Sequence, residues 1–252
     1  MENKSNWIII GLLLLFLPNM ALAEDVSKSK QLTYPRVREA YNQKEKTLKK
    51  ELEQQQYSWG EFELLVVGYK YEKELEIHLR KKGSADKFQL FRTYAFCTLS
   101  GSLGPKRIQG DLQVPEGFYF IDRFNPSSQF HLSLGLNYPN ASDKILSDPQ
   151  KPGGDIFIHG DCVSIGCIPI TDDLIKELYV LCVEAREAGQ KQIPVYLFPF
   201  RMTDEKFTTG VSLYPNHQAF WSNLKEGYAL WLATQKLLHY QVDKKGAYVF
   251  KK

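Results

Sequence analysis

Residues 155–173 read DIFIHGDCVSIGCIPITDD. The stretch begins as a short apolar strand, crosses a glycine-flanked loop carrying Cys162 and Cys167, and ends at a helix start. Thr171 is placed to N-cap that helix, and Asp172 and Asp173 in its first turn favour the positive end of the helix dipole. Three chemistries compete for the side chains in this loop: a disulfide, a metal site and a thiol nucleophile. Each implies a different protein.

Outward from the loop, the chain alternates. ELEIHLR (residues 74–80) sets Leu75, Ile77 and Leu79 on one face and Glu74, Glu76, His78 and Arg80 on the other, the pattern of a half-buried antiparallel strand. Further strands are expected at 62–67, 88–99, 118–122, 129–135, 155–159 and 194–199, separated by turn-rich connectors such as KKGSADK and GSLGPKRIQGD. Helices are expected from Pro35 to about Gln56, from Thr171 to Gly189, and over roughly 216–239, where Gly227 is a candidate kink. Many strands with few helices between them predict a mainly β fold with some α, a sandwich-like sheet carrying an N-terminal helix and a C-terminal helical appendage.

Residues 7–17 are an unbroken apolar run of 11, preceded by Lys4 and followed by Pro18 and the Ala21-x-Ala23 pattern. That length is short of the roughly 20 residues a bilayer-spanning helix needs, and it matches the apolar core of a cleavable signal peptide. Cleavage after Ala23 would send the protein to an extracytoplasmic space, with the membrane involved only through an uncleaved signal. The expected division is 1–23 signal peptide, 24–58 linker and helix, 59–200 main β-rich domain and 201–252 helical extension. The formal net charge of +3 is mild; it argues against nucleic acid as partner and is compatible with an anionic polymer.

Export permits disulfides, and four cysteines allow three complete pairings. A Cys162–Cys167 bridge would close a small ring. Zinc is disfavoured, because structural sites gather four ligands in paired clusters and no second cluster lies near this loop. Cys182 falls on an apolar helix face and Cys97 in an aromatic-rich strand, so both read as buried structural thiols. Cys167 follows Ser-Ile-Gly ahead of a helix, where a glycine turn can aim backbone amides at an oxyanion. His159, eight residues upstream, can take the thiol proton. His131 reads either as an orienting or substrate-side residue or as a structural histidine. His78, His217 and His239 read as surface residues.

IHGDCVSIGCIPITDDLIKELY resembles the signature of the L,D-transpeptidase (YkuD-like) catalytic domain family: His159-Gly160, then Ser164-x-Gly166-Cys167, then a helix with Asp172 or Asp173 and the Leu178-Tyr179 pair. GPKRIQGDLQVPEGFYFI and FNPSSQFHLSLGLNYPN are similar to its YafK-like branch. The resemblance covers about residues 60–200 and implies a β-rich domain of the periplasm, without cofactor, acting on peptidoglycan stem peptides. It implies Cys167 as nucleophile, His159 as general acid/base, Gly166 and Cys167 as oxyanion-hole amides, and Ser164 and Gly160 as shapers of the turn. It further implies a thioester on a diaminopimelate-containing stem, passed to an amine of another stem or of a lipoprotein lysine, and acylation by carbapenems. One branch member instead uses water and releases lipoprotein from peptidoglycan; a non-catalytic peptidoglycan-binding module is the other alternative. Two positions depart from the family pattern: Pro169 stands where an Arg is usual, and Ile158 where Ser or Thr is usual. Lys106 or Arg107 is therefore expected to hold the substrate carboxylate.

Overall fold

Eight strands form one sheet in the order β3-β2-β1-β8-β4-β5-β6-β7. They are β1 Phe62–Tyr69, β2 Glu74–Lys81, β3 Gln89–Ala95, β4 Gly117–Asn125, β5 Ser133–Leu136, β6 Phe157–His159, β7 Ile168–Pro169 and β8 Ile193–Phe198. This computed structural model describes residues 27–251, so the expected signal segment lies outside the described residues. The fold is mainly β with several helices. Only β1–β8 and β6–β7 pair in parallel; the other neighbours are antiparallel.

Both faces of the sheet are covered. Leu64 and Val66 of β1 join one apolar core, while Leu65 and Val67 join the other. A strand buried on both sides needs a continuous apolar run, which LLVV (64–67) supplies. Over the first face lie α2 (Pro35–Gln54) and α4 (Asp172–Glu187), with the short α1 (Lys28–Gln31) beside them. Val37, Ala40, Tyr41, Leu48 and Leu52 form the narrow buried stripe of α2. Because α2 covers its outer side, α4 buries even Glu184, whose carboxylate accepts from Tyr41 Oη at 2.7 Å and pairs with Lys28 Nζ at 2.6 Å.

The second face is closed by the C-terminal segment. After α3 (Ala141–Leu146) in the middle of the chain, α5 (Asp204–Leu213) and α6 (Gln218–Thr234) lead to a hairpin of β9 (Tyr240–Val242) and β10 (Tyr248–Phe250). Sequence periodicity indicates the helix but not the hairpin. Gly227 does not divide α6. A Cβ there would come within 2.6 Å of the Phe118 and Phe250 rings, so the glycine permits close packing of helix, sheet and hairpin. This covering layer also corrects the reading of His78. It is buried under Trp231, whose ring stands perpendicular to the imidazole at a 5.2 Å centroid distance, and its Nε2 meets Glu76 at 2.9 Å. Alternation placed His78 opposite Leu75, Ile77 and Leu79; it could not reveal that a distant helix returns over that face.

One buried ion pair joins the sheet, a loop and α6. Lys70 and Glu116 are both fully buried and meet at 2.9 Å. Lys70 Nζ also donates to the Gly104 and Val114 carbonyls, and Glu116 accepts from Gly104 N–H and Trp221 Nε1–H. Burial pulls the Lys70 ammonium below its usual pKa, opposed by Glu116. Removing one partner strands the other charge in an apolar surrounding, at a cost of about 3–5 kcal/mol. Glu116→Ala is therefore expected to lower unfolding stability by about that amount in a denaturant titration, far more than the half-exposed Lys49→Ala, whose i,i+4 partner is Glu45.

Candidate active site

The site is built on the parallel pair β6–β7. Ile158 faces Ile168 and His159 faces Pro169. Ile158 and Ile168 point into the first core. Successive side chains alternate across a sheet, so Phe157, His159, Cys167 and Pro169 turn to the opposite face. Strand spacing and rise place the Cα atoms of His159 and Cys167 about 8 Å apart, within reach of two side chains extended toward each other. The loop 160–166 is thus a connection whose ends are fixed by sheet pairing.

Ser164 shapes the turn before the cysteine. Its hydroxyl donates to the Cys167 carbonyl at 2.8 Å, accepts from Gly166 N–H at 3.2 Å, and lies 3.0 Å from Ser100 Oγ. Gly166 has φ +133°, a conformation open mainly to glycine, and its missing side chain leaves room for the Gln113 carbonyl. Gly160 is small for a different reason: a Cβ would come within 2.5 Å of Asp172 Oδ1 and 2.9 Å of the Phe130 carbonyl. Asp172 Oδ1 accepts from Asp161 N–H at 2.8 Å, tying the loop to the first turn of α4.

His159 is buried, with the Phe130 ring tilted against it at a centroid distance of 4.7 Å. Its Nδ1 bonds the Gly160 carbonyl. A carbonyl only accepts, so Nδ1 carries the hydrogen and Nε2 keeps the lone pair a base requires. Burial moves the imidazole below its usual pKa and moves the Cys167 thiol above its own. Both changes favour the neutral pair. The thiol sits 3.6 Å from the Asp155 carbonyl and receives the Phe157 backbone N–H.

The other expected residues separate. Lys106 lines a cavity of about 530 Å³ together with Cys167, Asp155 and Lys151, but its Nζ is taken by Asp111 at 2.6 Å and the Ile108 carbonyl at 3.1 Å. Arg107 turns away: it pairs with Asp143 at 3.0 Å and lies over the Phe220 ring in a different cavity. His131 is not in a strand, since β5 starts at Ser133. It occupies a turn with φ +67°, beside Gly160 and 4.0 Å from Asp172.

Cys97 and Cys162 form a disulfide, with Cα atoms 5.4 Å apart. This corrects the reading of Cys97 as a free buried thiol and removes Cys162 as a partner for Cys167, which is free. The pairing follows from the curl of the sheet. Cys97, just past edge strand β3, donates its N–H to the Pro169 carbonyl of the opposite edge strand β7 at 3.0 Å. At a sequence separation of 65, local spacing carries no trace of it. Sequence reasoning also missed Arg123, which pairs with Asp155 at 2.8 Å and lies over Phe157 at 4.8 Å. Among the described residues no group of three or more His, Cys, Asp or Glu side chains is arranged to hold a metal.

The L,D-transpeptidase catalytic domain, YkuD, matches residues 83–196. The chain is 36% identical over 170 residues, 67% of its length, to YafK, an L,D-transpeptidase candidate of Escherichia coli (strain K12). The chain belongs to the YkuD L,D-transpeptidase family, on its YafK-like branch. It spans 66% of the length of the YafK relatives from strains K12 and O157:H7. Solved structures with partial similarity include the helical cell shape determining protein Pgp2 of Campylobacter jejuni, at 20% identity, TM-score 0.43, covering 73% of this chain and 74% of that one. Bd1075 of Bdellovibrio bacteriovorus shares 23% identity at TM-score 0.39, covering 55% and 48%.

A neutral thiol on the same sheet face as a neutral imidazole has a kinetic signature. Alkylation of Cys167 by iodoacetamide is expected to be slow at pH 7 and to accelerate only above about pH 8.5, the usual thiol range. A thiol already reacting fully at pH 6, measured by intact mass, would show a preformed thiolate and contradict the neutral pair.

Proposed function

We propose that the protein is a periplasmic, peptidoglycan-acting enzyme of L,D-transpeptidase type, with Cys167 as nucleophile and His159 as general base. The observation that carries this reading is the β6–β7 register, which sets a free thiol and a tautomer-fixed imidazole on one face of the sheet. Family membership supports the reaction class.

In the proposed reaction His159 Nε2 accepts the thiol proton as Sγ attacks the diaminopimelate carbonyl carbon of the L-to-D peptide bond that follows it in a stem peptide. The tetrahedral oxyanion is met by backbone N–H groups of the turn. Gly166 N–H is held by Ser164 in the resting site, so the Cys167 N–H is the leading donor. His159 then protonates the leaving amine, and a thioester remains. An amine acceptor, from another stem or a lipoprotein lysine, completes transfer; water completes hydrolysis. Ser164, Gly166 and Gly160 act by holding the turn, with no direct part in bond making. The segment 59–200 is proposed as the catalytic domain, 24–58 as its linker and helix, 201–252 as the extension closing its second face, and 1–23 as the export signal.

Incubation with purified sacculi followed by muropeptide mass spectrometry tests the reading. New diaminopimelate–diaminopimelate crosslinks indicate transfer, and released lipoprotein or shortened linkages indicate hydrolysis. Cys167→Ala should reduce either product roughly a thousandfold or more. Retention of product by that variant would refute the assignment. In kcat/KM, the acid limb should fall below about pH 6.5, because the buried imidazole loses its proton more readily than a free one.

A further inference from the structure

Replacement of the family's arginine by Pro169 leaves open which cation meets the substrate. The Cys167 cavity carries three formal charges: Lys106, Lys151 and Asp155. Lys106 is matched by Asp111, and Asp155 by Arg123. Arg107 is committed to Asp143, outside this cavity. Among the described residues the Lys151 ammonium makes no ion pair or hydrogen bond. The charge left over in the cavity is therefore the one on Lys151.

Its backbone is held in place. Lys151 N–H donates to Asp148 Oδ1 at 2.7 Å, and its carbonyl accepts from Gln109 N–H at 2.8 Å. Tyr138 Oη donates to the next carbonyl, Pro152, at 2.9 Å. Gly153, at φ +86°, lets this segment approach Lys106 so closely that a Cβ would lie 2.8 Å from Lys106 Cε. Four residues after Lys151, the Asp155 carbonyl receives the Cys167 thiol. A pinned backbone with an uncommitted ammonium, joined by a short bonded segment to the proposed nucleophile, has the features of a carboxylate anchor.

We infer that Lys151 is a specificity-determining residue that binds a free carboxylate of the acyl-donor stem peptide, the duty for which Pro169 has no charge. The inference rests on the proposed reaction at Cys167. It predicts that Lys106, held by Asp111, supports the cavity wall and does not select the substrate.

The test compares kcat and KM for a diaminopimelate-containing stem tetrapeptide and for the same peptide with each free carboxylate amidated in turn. Wild-type protein should prefer the free acid over one of the amides by roughly tenfold in kcat/KM, mostly through KM. Lys151→Ala should lose that preference while consuming the matching amide as well as wild type does, and Lys151→Arg should keep most of it. Unchanged melting temperature and carbapenem acylation rate would exclude a folding or nucleophile defect. Undiminished preference for the acid in Lys151→Ala, or no preference in wild type, would overturn the assignment. A wild-type protein that consumes none of the peptides would instead overturn the underlying reaction, and this assignment with it.

Discussion

The register of a two-residue strand governs the site. Because Ile158 pairs with Ile168, the residues on either side of that pair, Phe157, Cys167, His159 and Pro169, face away from the first core together. A shift of one residue would turn polar side chains into the first core and take an isoleucine out of it, which the apolar core opposes. The free energy of burying Ile158 and Ile168 is thus what holds the thiol and imidazole on a common face. Ser164, Gly166 and Asp172 then fix the path between them.

That short strand sits at a sheet edge, where pairing alone is weak, and its position is secured from the other edge. The Cys97 N–H reaches the Pro169 carbonyl, and the Cys97–Cys162 disulfide ties the same place to the loop 160–166. Proline suits this edge position, since its carbonyl is used while the N–H it lacks is not required there. The residue that interrupts the family pattern is therefore a structural member of the closure. On the far face, Lys70, Glu116 and Trp221 hold the C-terminal helix and the loop at Gly104 to the sheet.

What the sequence discloses follows from the range of each signal. The alternation in ELEIHLR, the apolar run LLVV and the Thr171 cap are local, and β2, β1 and α4 form where they indicate. Cys167 and His159 lie close in sequence, so the motif alone suffices to propose them as a pair. The Cys97–Cys162 bond, the Arg123–Asp155 pair and the covering of His78 by Trp231 each join segments tens of residues apart, and no periodicity encodes them. His131 was misread because alternating Leu132 and Leu134 resemble a strand, whereas the chain enters the strand only at Ser133 after a left-handed turn. The hairpin β9–β10 is short, and its three-residue strands give too little pattern to distinguish from a tail.

The chemistry proposed for the site asks little of the resting charges. Both reacting groups are held neutral by burial, and attack is coupled to proton transfer onto an imidazole whose tautomer is set by one carbonyl. Cys162 plays no part in bond making because it is already committed. The claim at the centre of the account is that Cys167 alone becomes acylated. Incubation with a carbapenem, followed by intact-mass and peptide-level mass spectrometry, measures this directly. One adduct, located on Cys167 and absent from Cys167→Ala, is the predicted result; no adduct on the folded protein, or an adduct on another residue, would contradict it.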